Sequence, residues 1–231
     1  MTTVVLFDID GTLLASGGVG RRAMEGALLA HFGTVGPDHY RYDGKTDRQI
    51  TRELMRLSEF SDDDIDARMD ALLADYLVRL ELEIADGAPG MRVHAGIPAL
   101  LDALEARTDV LLGLLTGNIA DGAVLKLRAA GIAPHRFRVG AFGSDHEHRS
   151  ELPAIAQRRA SAFLGCGVVG HSVVIVGDTP ADVQCGRSIG ARAVAVATGH
   201  FSVADLAAHG PYAVFEDFSD IDAAIDAICH A

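Results

Sequence analysis

Four aspartates sit in two short strings that each follow an apolar run. Val4-Val5-Leu6-Phe7 leads into Asp8-Ile9-Asp10-Gly11-Thr12-Leu13, and Val173-Val174-Ile175-Val176 leads into Gly177-Asp178-Thr179-Pro180-Ala181-Asp182. On an extended segment, side chains two apart share a side, so Asp8 and Asp10 project together while Phe7 and Ile9 face a core. Two carboxylates at the end of a buried strand repel each other unless a cation joins them. Gly11 lets the backbone turn at once and expose N–H groups. Taken alone, the Asp8–Gly11 string also suits an ordinary polar turn.

A third run, 111–115, ends in Thr116-Gly117-Asn118 ahead of a helical pattern. Such a strand–turn–helix junction offers a hydroxyl and free helix N–H groups to a phosphate oxygen. Thr116 or Asn118 equally suits a cap on the helix that follows. In the Asp178 string, Thr179 suits a helix cap, Pro180 the first helical position, and Asp182 the first turn, where negative charge is favoured. Two basic residues lie between these strings. Lys126 reads as a solvent-facing charge on the helix after Thr116. Arg149 precedes another helix and follows a strand.

These residues need a scaffold that gathers strand ends. Short, nearly continuous apolar runs at 3–7, 110–115, 137–142, 172–176 and 193–197, and a weaker one at 212–215, alternate with helical patterns. The helices are expected at 96–107, 119–130, 152–163, 180–189, 203–209 and 219–229. This alternation predicts an α/β fold with a mostly parallel sheet covered on both faces, whose ligand site lies at the carboxyl ends of the strands. Between residues 15 and 89 there is no convincing strand run, only helical patterns at 19–31, 47–57 and 62–84, with Ser61 as a helix start. Asp86-Gly87-Ala88-Pro89-Gly90 reads as a linker. The simplest organisation is a core of residues 1–14 and 90–231 with a helical cap, 15–89, inserted after the first strand.

Composition narrows the function. Twenty Lys plus Arg against 32 Asp plus Glu give a net charge of -12, and no basic run offers a footprint for nucleic acid or an anionic membrane. The chain has no apolar stretch of membrane-spanning length. Three cysteines without metal-like spacing read as packing residues, and the cytoplasm is the expected setting. Asp145-His146-Glu147-His148 reads as a solvated loop rather than a metal cluster.

The DxDGTL string at Asp8–Leu13, the strand ending at Thr116, and GDxxxD at 177–182 together resemble the motifs of haloacid dehalogenase-like hydrolases, in their order and nearly end to end. The resemblance implies a Rossmann-like three-layer core with a small all-helical cap. It implies Asp8 as nucleophile and Asp10 as general acid and base. Thr116, supported by Gly117 and Asn118, would bind phosphate, and Mg²⁺ would lie between Asp8, Asp178 and the backbone carbonyl of Asp10. Arg149 would stand where the family usually has Lys, and Asp182 would orient Arg149 or a metal-bound water. Gly44-Lys45-Thr46-Asp47 is similar to a cap loop of phosphoglycolate phosphatase-like members, so Lys45, or nearby Arg21 or Arg22, would meet an anionic group. It also suits a simple helix cap. The implied activity is hydrolysis of a small phosphorylated metabolite through an aspartyl-phosphate. A phosphosugar mutase, a haloacid dehalogenase and a non-catalytic phosphate-binding protein are the alternatives, and Asp10 counts against the dehalogenase.

Overall fold

The computed structural model describes residues 2–87 and 90–229; Ala88 and Pro89 of the expected linker lie outside the described residues. In chain order the elements are β1 (Thr3–Phe7), β2 (Leu14–Ser16), α1 (Val19–Phe32), α2 (Asp47–Leu57), α3 (Asp62–Ala85), β3 (Met91–Val93) and α4 (Ile97–Glu105). There follow β4 (Val110–Thr116), α5 (Ala120–Ala129), β5 (Val139–Phe142), α6 (Leu152–Leu164), β6 (Val173–Gly177) and α7 (Pro180–Cys185). The chain ends with β7 (Arg192–Val196), α8 (Val203–Ala207), β8 (Ala213–Phe215) and α9 (Ile221–Cys229).

Six strands form one parallel sheet in the order β5-β4-β1-β6-β7-β8. Alternation along β1 divides the core between two faces. Val5 and Phe7 pack with Leu100 and Leu104 of α4 and Ile228 of α9. Val4 and Leu6 pack with Ala156 and Ala160 of α6 on the other face. The result is an α/β three-layer core, as the alternation of runs predicts.

Helices α1, α2 and α3 bury their apolar faces on one another, around Met24, Leu28, Leu54, Leu72 and Tyr76. Ile119, from the loop after β4, joins this cluster. Ser61 caps α3 by accepting the Asp64 N–H. One expectation needs correction: the segment after residue 14 holds a strand, because β2 pairs antiparallel with β3 and joins the two ends of the helical segment. Each of these strands has three residues, too few for an alternating pattern to show.

Candidate active site

The strand order places β1 between β4 and β6, so the residues that follow these three strands meet at one edge of the sheet. Phe7 pairs with Leu114 on one side and Val176 on the other, and the Asp8 N–H donates to the Val176 carbonyl at 2.9 Å. Asp8, Thr116 and Asp178 are thereby brought together, and all three are buried. They line a cavity of about 590 Å³ that also exposes Asp10, Lys126 and Arg149.

Arg149 is buried and donates through Nη2 toward Asp8 Oδ2 at 3.2 Å, to the Leu115 carbonyl at 3.3 Å, and to Asp182 Oδ1 in a very short contact. Asp182 is held in turn by a reciprocal capping box with Thr179 at the start of α7, with Pro180 opening the helix. The helix-cap reading and the Arg149-orienting geometry therefore coexist in one side chain.

Oxygens of Asp8, Asp178 and Asp182 approach within 4.8 Å of one another. Burial pushes Asp8 up to about 6; Arg149 draws it back and Asp182 adds repulsion. Asp178 is raised well above the ordinary carboxylate range by burial, then by Asp182 and Asp8, although the Thr12 hydroxyl donates to it at 2.9 Å. Three acids thus face one guanidinium. A hard, oxygen-seeking divalent cation fits this donor set. The pocket beside Asp178 Oδ2 is kept open by glycines: a Cβ on Gly199 would lie 1.8 Å from that oxygen and one on Gly11 2.2 Å from it.

The Asp10 carboxylate does not join this cluster. Its Oδ2 accepts from Lys126 Nζ at 2.7 Å and from Asn118 Nδ2 at 2.8 Å. Burial pushes the Asp10 carboxyl up, but Lys126, then Asn118 and the Ser16 hydroxyl, outweigh burial and hold it below its ordinary value. Lys126 is accordingly not the solvent-facing charge expected from the sequence; it is 4% exposed. The signal was present in helical spacing, since Lys126 lies on the face of buried Ala123 and Leu127.

The Thr116–Asn118 loop has its own geometry. Neither Thr116 nor Asn118 caps α5: the N-cap is Ile119, without a side-chain cap. Thr116 Oγ1 instead accepts from Asn118 Nδ2 at 2.8 Å. The N–H groups at the start of α5 go to Asp47 Oδ2, from Ile119 at 2.8 Å, and to Ser144 Oγ, from Ala120 at 3.2 Å. Gly117 lies against the backbone of the α2 entry loop, where a Cβ would approach the Lys45 carbonyl to 2.0 Å.

That loop docks firmly. The Asp47 N–H donates to the Gly117 carbonyl at 2.9 Å, and the Thr46 hydroxyl to the Glu147 carbonyl at 2.5 Å while accepting the Gln49 N–H as the α2 cap. Arg52 grips Glu147 at 2.7 Å, and His200 Nδ1 lies 2.6 Å from Asp43 Oδ1. Lys45 lines the cavity, but its ammonium is paired with Glu53 and the Tyr40 hydroxyl, both at 2.8 Å. Arg21 also lines it, paired with Glu25, whereas Arg22 turns to Glu83. His146 and His148 are exposed. Sequence reasoning did not single out Thr12, Thr198 or Gly199. Thr198 donates to the Gly11 carbonyl at 2.6 Å and so fixes the turn after Asp8.

Comparison with known proteins agrees with this architecture. The family described as "HAD-hyrolase-like" matches residues 152–221. A phosphoglycolate phosphatase of Rhodospirillum rubrum is 29% identical over 233 residues, spanning 96% of this chain and 90% of that protein. One from Synechococcus elongatus is 28% identical over 222 residues, spanning 94% of each. Among solved structures, a hydrolase from Pseudomonas syringae superposes with a TM-score of 0.74 at 20% identity, covering 99% of both chains. CbbY from Rhodobacter sphaeroides in complex with phosphate superposes at 0.64 and 22% identity, covering 96% of both. In fold and in the segment 152–221 the chain is similar to haloacid dehalogenase-like hydrolases. Within that class the chain resembles the phosphoglycolate phosphatases over nearly its whole length.

Proposed function

We propose that this protein is a magnesium-dependent phosphatase that hydrolyses a small phosphomonoester, phosphoglycolate-like or a sugar phosphate, through a phosphorylated Asp8. The observation that carries the reading is the division of labour between two carboxylates two residues apart. Asp8 faces Arg149 and the acidic cluster, whereas Asp10 is turned away to Lys126 and Asn118.

Residues 15–89 act as a cap over the core formed by 1–14 and 90–231. Substrate enters the cavity with its phosphoryl group against Thr116, the Gly117–Asn118 loop and Arg149, which place phosphorus in line with Asp8. An Asp8 oxygen attacks phosphorus while the bond to the ester oxygen breaks, and Asp10 gives that oxygen its proton. Water then attacks the phosphorylated Asp8, Asp10 takes a proton from it, and phosphate leaves with Asp8 restored. Mg²⁺, held by Asp8, Asp178 and the Asp10 carbonyl, would supply charge neutralisation between nucleophile and phosphate. Asp182 acts by holding Arg149. Lys45 and Arg21 face the substrate's far end, where the cap excludes water. Free cysteines at Cys166, Cys185 and Cys229 suit a reducing cytoplasm.

Phosphate release from a panel of phosphomonoesters, with Mg²⁺ or a chelator and beside Asp8→Asn, tests the reading. Turnover that needs Mg²⁺ and vanishes in Asp8→Asn is expected. Turnover that survives both treatments sinks it.

A further inference from the structure

The cations that line the cavity are spoken for, whereas a hydroxyl on its cap side is not. Arg21, Lys45, Lys126 and Arg149 are the Lys and Arg side chains in the lining. Lys126 is paired with Asp10, and Arg149 with Asp8 and Asp182. On the cap side, Glu53 lies 2.8 Å from the Lys45 ammonium and Glu25 2.8 Å from Arg21 Nε. Neither glutamate is in the lining, so each cap cation is neutralised from behind. The cap adds two carboxylates to the cavity wall, Asp43 and Asp47. Tyr76 of α3 differs from all of these. It is buried and lines the cavity, and its hydroxyl, without a hydrogen-bond partner among the described residues, opens on the cavity. Burial, then Asp47, push it well above the ordinary tyrosine range, so it is a neutral group that both donates and accepts. Gly20 of α1 leaves the space before it clear: a Cβ there would lie 3.7 Å from the Tyr76 hydroxyl and 3.0 Å from Lys126 Nζ.

We propose that the substrate is the phosphomonoester of a neutral polyol or sugar, with Tyr76 as the specificity-determining residue that reads one of its hydroxyls, and that esters carrying a second anionic group are disfavoured. The inference rests on the phosphatase reading above and narrows it to one substrate class. A buried hydroxyl left unpaired is costly, and a substrate hydroxyl both accepts from Tyr76 and donates to it. A carboxylate or second phosphate at the same end would face Asp43 and Asp47, and would have to draw Lys45 from Glu53 or Arg21 from Glu25. An anion that sheds its water and meets no free cation is destabilised. The cavity of about 590 Å³ also has room for a leaving group of several carbons. The selectivity therefore departs from the activity for which the relatives from Rhodospirillum rubrum and Synechococcus elongatus are named.

The test compares kcat/KM in the presence of Mg²⁺ for glycerol 1-phosphate, glucose 6-phosphate, phosphoglycolate and ethyl phosphate, the last with neither hydroxyl nor second charge. Wild type is expected to favour the better of the two polyol esters over phosphoglycolate by about 10-fold or more. Tyr76→Phe removes only the hydroxyl and should cut the preference for that polyol ester over ethyl phosphate about 10-fold, the worth of one hydrogen bond. Glu53→Gln frees the Lys45 ammonium and should raise the ratio of phosphoglycolate to polyol ester by about 10-fold. Ratios between substrates on one variant cancel any loss that reflects folding alone. If Tyr76→Phe fails to fold, as judged by circular dichroism, the wild-type preference and Glu53→Gln decide the matter. A wild type that turns over phosphoglycolate as well as or better than both polyol esters, or a folded variant whose ratio is unchanged, overturns the proposal. A wild type inactive on every ester overturns the phosphatase reading itself, and the inference falls with it.

Discussion

Asp8, Asp178 and Asp182 share a buried pocket with a single guanidinium, and this imbalance makes one substitution informative in two directions. Asp178→Asn removes one of the three charges and keeps an oxygen to accept the Thr12 hydroxyl. Without a cation, the wild-type protein bears the cost of ionising these groups near neutral pH. For Asp8 that cost follows from its rise from 3.8 to about 6, which at about 1.4 kcal/mol per pH unit is roughly 3 kcal/mol. Asp178 is shifted in the same direction by burial and by its two acidic neighbours. The variant in chelator is therefore expected to be more stable than wild type by about 2 kcal/mol at pH 7.5, or roughly 4 °C in Tm for a chain of this size.

Adding Mg²⁺ should reverse the ranking. At ten times its Kd, a ligand that binds only the folded state stabilises by about 1.4 kcal/mol, roughly 3 °C here. Wild type should gain this shift and the variant should not. Protons compete with the ion for Asp8, so the wild-type shift should fade as the pH falls below about 6. Thermal unfolding in chelator and in a Mg²⁺ series, at pH 7.5 and pH 5, measures all three effects. An Asp178→Asn variant that melts below wild type in chelator and keeps the full Mg²⁺ response would refute the electrostatic account.

Three other outcomes follow from the same contacts. Asp47 is a buried acid raised to about 6 by burial, so the folded state holds its proton more tightly than the unfolded chain does. Its stabilising effect is complete at low pH and is lost as pH rises from about 4 through 6. Relative to wild type, Asp47→Asn should gain up to about 3 kcal/mol between pH 4 and pH 7 in denaturant unfolding. Gly117→Ala drives a Cβ into the Lys45 carbonyl, a backbone atom that has to shift, and should raise KM at least several-fold in steady-state assays as the cap loop lifts. Arg149→Lys keeps the charge but loses the planar fork that spans Asp8, Asp182 and the Leu115 carbonyl; kcat should fall about 100-fold, with a smaller change in KM.

The residues legible in the sequence were those whose chemistry is local. Asp178 with Asp182 sits in a string whose turn chemistry fixes each side chain; the Asp8–Asp10 string marked both acids but not their divergence, because β1 ends at Phe7 and strand periodicity stops before them. The six strands of the core were legible for the same reason: runs buried on both faces have a composition of their own. The pairing of β2 with β3 was not legible, because three residues cannot show a period. Neither was the docking of the loop before α2 on the loop after β4, since Asp47 and Ile119 are 72 residues apart and each has a satisfactory local explanation. Lys126 is the instructive case. Its helical position marked it for burial, but a charge on a helix reads as solvated unless its partner is known, and that partner lies 116 residues away.

The proposed chemistry at this sheet edge requires that two carboxylates on one short segment behave differently. A nucleophile must be ionised and exposed to phosphorus, while an acid–base group must exchange its proton within each cycle. Identical surroundings would give Asp8 and Asp10 the same tendency to ionise and couple them by repulsion. The fold separates them by giving each its own cation from a different helical connection: Arg149 ahead of α6 for Asp8, and Lys126 within α5 for Asp10. Asp182 ties the first cation down and Asn118 the second, so neither can cross to the other acid without breaking a buried bond. Exchanging the two cations, with Lys at 149 and Arg at 126, would preserve net charge yet disturb both pairings. Gly20 leaves room for a slim ammonium, and the Asp8–Asp182 gap is bridged by a guanidinium. The specificity of the site thus lies in the shapes of its cations as well as in their charge.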